Sequence, residues 1–159
     1  MGIAKVDLLK PLVPIKQGHY NTRAIDQKAV DKLVQSMELM GVLSDRYSTA
    51  IPILADPEDI DPSSISQDIT KISQAPDLKL SEKGSRDVRE LLATGGRHRT
   101  KALATVYVNL RSKIKDLEDR IKRTNKKSKL EELREEVKIC QAKKASLGKW
   151  TVIVYNASK

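Results

Sequence analysis

Leu91-Leu92-Ala93-Thr94-Gly95-Gly96-Arg97-His98-Arg99-Thr100-Lys101-Ala102-Leu103 decides the reading of this chain: an apolar run breaks at two glycines and reopens as a helix led by three basic side chains. Glycine reaches backbone conformations closed to other residues and lets the main chain approach an anion closely. The first turn of a helix presents unpaired N–H groups and the positive end of the backbone dipole. Arg97, His98 and Arg99 add charged donors, and guanidinium groups match phosphoryl oxygens in geometry and charge. The pattern describes a phosphate cradle. The plainer alternative is a tight strand-to-helix turn whose basic residues coat a solvated face.

Outward from this point, residues 87–94 read as the strand that delivers the glycines, with strand and helix both open for the first turn of that segment. From His98 the spacing predicts a long helix, with Leu103, Val106, Leu110, Ile114, Leu117 and Ile121 recurring at intervals of three and four. After the polar break at 124–128, a second stripe runs through Leu130, Leu133, Val137 and Cys140. The two helices predict an antiparallel hairpin over residues 107–149, with Ile121 near Leu130, Ile114 near Val137 and Cys140 in the seam. Gly148 is expected to end the hairpin, and residues 150–155 to return as a strand. A monomeric arm and a dimerising or partner-docking arm both fit the narrow stripes.

On the other side, apolar residues of 6–15 around Pro11 and Pro14 predict an extended entry or edge strand, followed by a polar loop over 17–23. Asp26 is a helix cap for Ala29, Val30, Leu33, Val34, Met37 and Met40, with Gly41 as the stop. Residues 50–55 read as a short buried strand. Residues 56–85, rich in proline, serine and acids, form a loop insertion in which Ile65, Ile69 and Ile72 mark a short helix. Such a loop could close over the cradle as a lid, hold magnesium through its carboxylates, or be a solvated excursion.

Gly96-Arg97-His98-Arg99-Thr100-Lys101-Ala102 resembles the G-E-R-R-x-R-A motif of ParB-type nucleotide-binding domains and the G-G-C-H-R motif of sulfiredoxin, two families that share a fold. Asn21-Thr22-Arg23 is similar to the Q-P-R of ParB, Leu33-Val34-Gln35-Ser36-Met37 with Gly41-Val42-Leu43 to its L-x-x-S-I…G-V-L segment, Ala50-Ile51-Pro52-Ile53-Leu54 to its P-I-x-V strand, and Trp150-Thr151-Val152-Ile153-Val154 to its closing strand. The resemblance touches about half of the chain and implies a single α/β domain over 1–159: a small mixed sheet with packed helices, enlarged by the insertions at 56–85 and 107–149. Arg97 occupies the place of sulfiredoxin's reactive cysteine, so sulfinic-acid reduction is not expected. Arg97 also replaces the ParB glutamate, and Gly95 stands where related free-serine kinases carry an aspartate. The chain ends soon after its closing strand, without the helical segment and helix-turn-helix reader of ParB proteins, so specific DNA recognition is not expected of this chain alone, which could be a fragment of a longer protein.

Composition agrees with a single domain of 159 residues. Phenylalanine is absent and aromatics are 3%, so the core is aliphatic. No apolar run reaches the roughly 20 residues that cross a bilayer, and no signal sequence is visible at the amino terminus. A soluble, intracellular protein, cytoplasmic or nuclear, is expected, and one cysteine fits a reducing compartment. Of the formal charge of +9, residues 107–149 carry 14 Lys and Arg against 7 acids. That excess could draw nucleic acid or a membrane surface, or simply be a solvated helix face with interleaved acids.

Together these observations lead to the expectation of a nucleotide-binding domain. The resemblance implies phosphates held on Gly95, Gly96, Arg97, His98, Arg99 and Thr100, with Arg23 and Ser36 closing the opposite side; for Arg23 a surface ion pair, and for Ser36 a solvated helix serine, are the alternatives. ATP or ADP is preferred over CTP because the His98-Arg99 pair follows sulfiredoxin and the serine kinases. Any turnover would be slow NTP hydrolysis or phosphoryl transfer with magnesium, with Asp45, Asp56 or Glu58 as candidates for the missing acid. The alternative function is a DNA-binding or protein-interaction module that uses the basic hairpin, including a homodimer through it.

Overall fold

The computed structural model describes residues 1–18, 23–87 and 90–158. Five strands, β1 (Gly2–Asp7), β2 (Ile15–Gln17), β3 (Ile51–Ala55), β4 (Leu91–Ala93) and β5 (Lys149–Asn156), form one mixed sheet in the order β1-β5-β3-β4-β2. β5 runs antiparallel to β1 and parallel to β3, while β4 runs antiparallel to β3 and parallel to β2. Strand alternation sets the core face: Ala4, Val6, Ile51, Ile53, Leu91, Ala93, Trp150, Val152 and Val154 all lie in one buried cluster. Helices α1 (Gln27–Met40) and α3 (Arg97–Arg123) cover that face through Val34 and Met37, and through Leu103 and Val106. The single indole is 2% exposed, and its Nε1–H donates to the carbonyl of Thr49 at 2.9 Å.

Asp26 caps α1 by accepting from the Lys28 N–H at 2.9 Å. The helix leaves through Gly41 at φ +82°, whose N–H bonds the Met37 carbonyl. The segment 6–15, expected as an extended entry or edge strand, is not one continuous strand. β1 ends at Asp7, where the carboxylate accepts from the N–H groups of Leu9 and Lys10, and β2 starts only after Pro14. Pro11 and Pro14 thus sit in the connection, where a missing N–H costs no ladder bond.

The insertion at 56–85 is an edge cover. Three 3-10 turns (Pro57–Asp59, Pro62–Ser64, Ile69–Gln74) and a short helix α2 (Glu82–Arg86) each open on an oxygen that accepts a backbone N–H, supplied by Asp56, Asp61, Asp68 and Ser81. The segment runs along β1, exchanging bonds between Ile3 and Ser66 and between Lys5 and Pro76 or Leu78 at 2.7–2.9 Å. It seals an edge that would otherwise offer unpaired backbone groups. Because β1 is the sheet edge away from β4, the lid over the glycines is not formed.

α3 is one helix of 27 residues, about 40 Å long, and α4 (Lys127–Ser146) folds back along it. Ile114, Leu117, Leu133, Val137 and Cys140 make a second core, with Ile121 packed at its end. Leu110 touches both cores. Ile114 and Val137 share this cluster as the spacing predicts, and the polar break shortens to Thr124, Asn125 and Lys126. α4 ends at Ser146 and Gly148 directly precedes β5, at the expected end of the hairpin, but it is no left-handed stop: its φ is not positive, and a Cβ there would lie 2.1 Å from Asp7 Oδ1. Close approach of a carboxylate, not helix termination, requires that glycine. Among the described residues no helix is long and apolar enough to cross a membrane.

Candidate functional site

β2 and β4 lie side by side and parallel, and each leads into a helix, α1 and α3 respectively. Loops leaving the carboxyl ends of neighbouring parallel strands are where α/β sheets open a ligand crevice, because helix N-termini gather there. The Gly18 N–H ties the two ends together by donating to the Ala93 carbonyl at 2.8 Å. Of the motif Asn21-Thr22-Arg23, only Arg23 falls within the described residues.

The two glycines have different duties. Gly96, at φ +86° and ψ 2°, starts α3 from the left-handed region, and a Cβ on it would meet Ile51 Cδ1 at 2.7 Å and Cγ1 at 2.9 Å. Gly95 has no positive φ, and the nearest atom to a Cβ there is Pro52 Cδ at 3.8 Å. Gly96 therefore sets the position of α3 against the sheet, while Gly95 has room around it.

Successive helical side chains are turned by about 100°, and the basic trio fans out accordingly. The Arg97 guanidinium donates through Nη1 to the Arg23 carbonyl at 3.2 Å. His98 Nε2 accepts from the Asp26 N–H at 2.9 Å, which leaves Nδ1 as the protonated nitrogen of the neutral ring. This bond joins the first turn of α3 to the cap of α1, so two helix starts, that of α1 already carrying the Asp26 carboxylate, meet beside Arg23 and Arg97. Arg99 turns the other way and donates through Nη1 to the Thr49 carbonyl at 3.2 Å, the oxygen that also receives Trp150 Nε1. One donor of its fork thus anchors α3 to the approach to β3, and four N–H groups remain on it.

Two expected members do not join the cradle. Thr100 donates both its N–H, at 2.8 Å, and its hydroxyl, at 3.1 Å, to the Gly96 carbonyl, so neither donor is left for an anion. Ser36 lies ten positions beyond Asp26 on an exposed part of α1, about 15 Å along the helix from the His98 contact. The acid candidates fare similarly. Asp56 and Glu58 follow the far end of β3 from the glycines; Asp56 caps a turn, and Glu58 pairs with Lys83. Asp45 is exposed in the segment leading to Tyr47–Thr49, at the same end of β3 as the glycines. Among the described residues no three His, Cys, Asp or Glu side chains converge as a metal-ligand set.

A recess of about 760 Å³ opens away from the cradle, between the end of α1 and the base of the hairpin. Of its charged groups, Glu38 accepts from the Asn109 amide at 2.8 Å, and Lys113 pairs with Glu136 at 2.8 Å. The apolar stripes of the hairpin are buried against each other within one chain, with Cys140 4% exposed between them.

Sequence reasoning found Asp26 as a cap but missed it as the partner of His98, and it missed Thr49 altogether. A backbone carbonyl leaves no mark in residue type, and Thr49 is 50 positions from the arginine it binds. No family model, no curated protein and no solved structure matches the chain.

Proposed function

We propose that this chain is a nucleotide-binding domain of the ParB/sulfiredoxin type, seating the phosphates of a nucleoside di- or triphosphate where the loops after β2 and β4 meet. The observation that carries the reading is the junction of two helix starts at the Asp26–His98 hydrogen bond, flanked by Arg23 and Arg97. Electropositive backbone ends and guanidinium groups reinforce each other toward an anion held between them. Gly95 and Gly96 let the main chain approach, Arg97 and Arg23 clamp the phosphoryl oxygens, and His98 donates through Nδ1. Arg99 presents its remaining donors from the sheet side. Magnesium, in this reading, travels with the phosphates as their counter-ion. ATP or ADP is the preferred ligand and CTP the alternative, on the resemblance of His98-Arg99 to the sulfiredoxin pattern. Binding, rather than turnover, is the proposed activity.

The test is a thermal-shift panel of ATP, ADP, CTP and GTP, with and without magnesium, on the wild type and Arg23→Ala. The substitution removes an exposed guanidinium and keeps the carbonyl that receives Arg97. Ligand at a hundred times its Kd stabilises a single-site protein by about 2.7 kcal/mol. A shift in the wild type that shrinks in Arg23→Ala, with unchanged ligand-free melting, is expected. No shift with any nucleotide, or identical shifts in both proteins, would refute the proposal.

A further inference from the structure

The far end of the hairpin concentrates positive charge in a way the fold itself does not need. Residues 120–129 contain six Lys and Arg and no acid, and Arg120, Lys122, Arg123, Lys126, Lys127 and Lys129 are all exposed. Lys122 and Lys129 lean on Asp119 and Glu132, in exposed pairs of the kind that contribute little. Among the described residues, Arg123, Lys126 and Lys127 have no acid within ion-pair distance. The tip stands about 20 Å beyond Leu110, the last residue shared with the sheet core.

The placement of the charge also opposes the local electrostatics. At the end of α3, Arg120, Lys122 and Arg123 occupy the last turn and suit the negative dipole end. The start of α4 is different: Lys126 forms no side-chain cap bond, and the first turn holds Lys127 and Lys129 without an acid. Cations crowd a helix end that is already positive. A polyanion laid across the tip would neutralise both.

The chemistry of the arm narrows the partner. Residues 108–149 contain no aromatic side chain and no histidine, so unpaired bases find no aromatic platform there. Ile121 packs into the hairpin core, which leaves it unable to serve as an apolar wedge for a lipid surface. What remains is attraction to closely spaced phosphates, which a duplex presents at about one charge per 1.7 Å. We infer that the tip of the hairpin contacts the phosphate backbone of double-stranded nucleic acid through Arg120, Arg123, Lys126 and Lys127, without reading sequence.

The experiment measures anisotropy of a labelled 20-base-pair duplex of mixed sequence across a salt series, with the full chain and the double variant Lys126→Asp, Lys127→Glu. Four contacts predict a slope of log affinity on log salt of about −3 to −4. The variant removes two of them, so the slope becomes shallower by about 2 and affinity at 0.1 M salt falls at least tenfold. Its melting temperature rises, because an aspartate cap and a first-turn acid suit the start of α4. Its response to nucleotides is unchanged, which separates failure at the tip from failure at the cradle. Wild-type affinity in the variant, absence of duplex binding at 50 mM salt, or equally tight tip-dependent binding to phosphatidylserine vesicles would each overturn the inference.

Discussion

Replacing Gly96 by alanine tests the joint on which the site is built. At φ +86° an L-residue incurs roughly 1–2 kcal/mol of left-handed strain. The new Cβ must also displace Ile51, whose Cδ1 and Cγ1 would lie 2.7 and 2.9 Å away, and overpacking of this kind costs typically 1–3 kcal/mol. The combined loss is about 2–5 kcal/mol, or roughly 4–20 °C in Tm for a chain of this size. Gly95→Ala is the internal control: with 3.8 Å to the nearest atom, its effect stays within about 0.5 kcal/mol. A double-mutant cycle with Ile51→Val isolates the contact, because valine lacks Cδ1 and alone costs about 0.5–1.5 kcal/mol. Urea unfolding at constant m-value should show the pair less destabilised than the sum of singles by roughly 1 kcal/mol. Strict additivity, or a Gly96→Ala as mild as Gly95→Ala, would show that Gly96 does not wedge α3 onto β3.

Two further predictions concern the arm. Leu117, 2% exposed in the second core, should cost about 2–5 kcal/mol on truncation to alanine; hydrogen exchange should accelerate along α4 while β3 and β5 keep their protection, and uniform loss across the sheet would contradict two separate cores. The hydrogen bond and charge of Lys113 lower the Glu136 pKa below its ordinary 4.5, while the hydrogen bond to Glu136 raises that of Lys113 above 10.5. The carboxylate's contribution is present above its unfolded value and disappears as pH falls through the folded one, whereas the lysine's is present below 10.5 and disappears as pH rises past the raised value. The Tm difference between wild type and Glu136→Gln should therefore be constant from pH 6 to 9 and narrow progressively as pH falls below the ordinary carboxylate value of 4.5; a gap that does not narrow on acidification would exclude the pair as its source.

The parts of the fold read correctly from sequence are those whose signal is local. Asp26 and Gly41 bracket α1 because a cap and a left-handed stop act within one turn, and the stripes through Ile114 and Val137 repeat often enough to fix a hairpin. What escaped depended on distant partners. β1 is a strand because β5 on one side and Ser66 to Leu78 on the other supply its hydrogen bonds. The acids of 56–85 suggested a metal or a lid, yet each 3-10 turn needs one of them as a cap. At the site, residue types identified a basic cluster, but helical phase decided its roles: Arg97 and His98 face the start of α1, Arg99 faces the sheet, and Thr100 bonds back to its own helix.

Leu110 is the hinge pin of a modular build. Since, among the described residues, it alone packs against both apolar clusters, equal lengths of α3 and α4 could be excised or inserted beyond it without disturbing the sheet. Seven residues from each helix would draw the tip back by about 10 Å. The reach of the arm is thus a dimension that selection can adjust, like a spacer cut to length, while the sheet at its root keeps its packing.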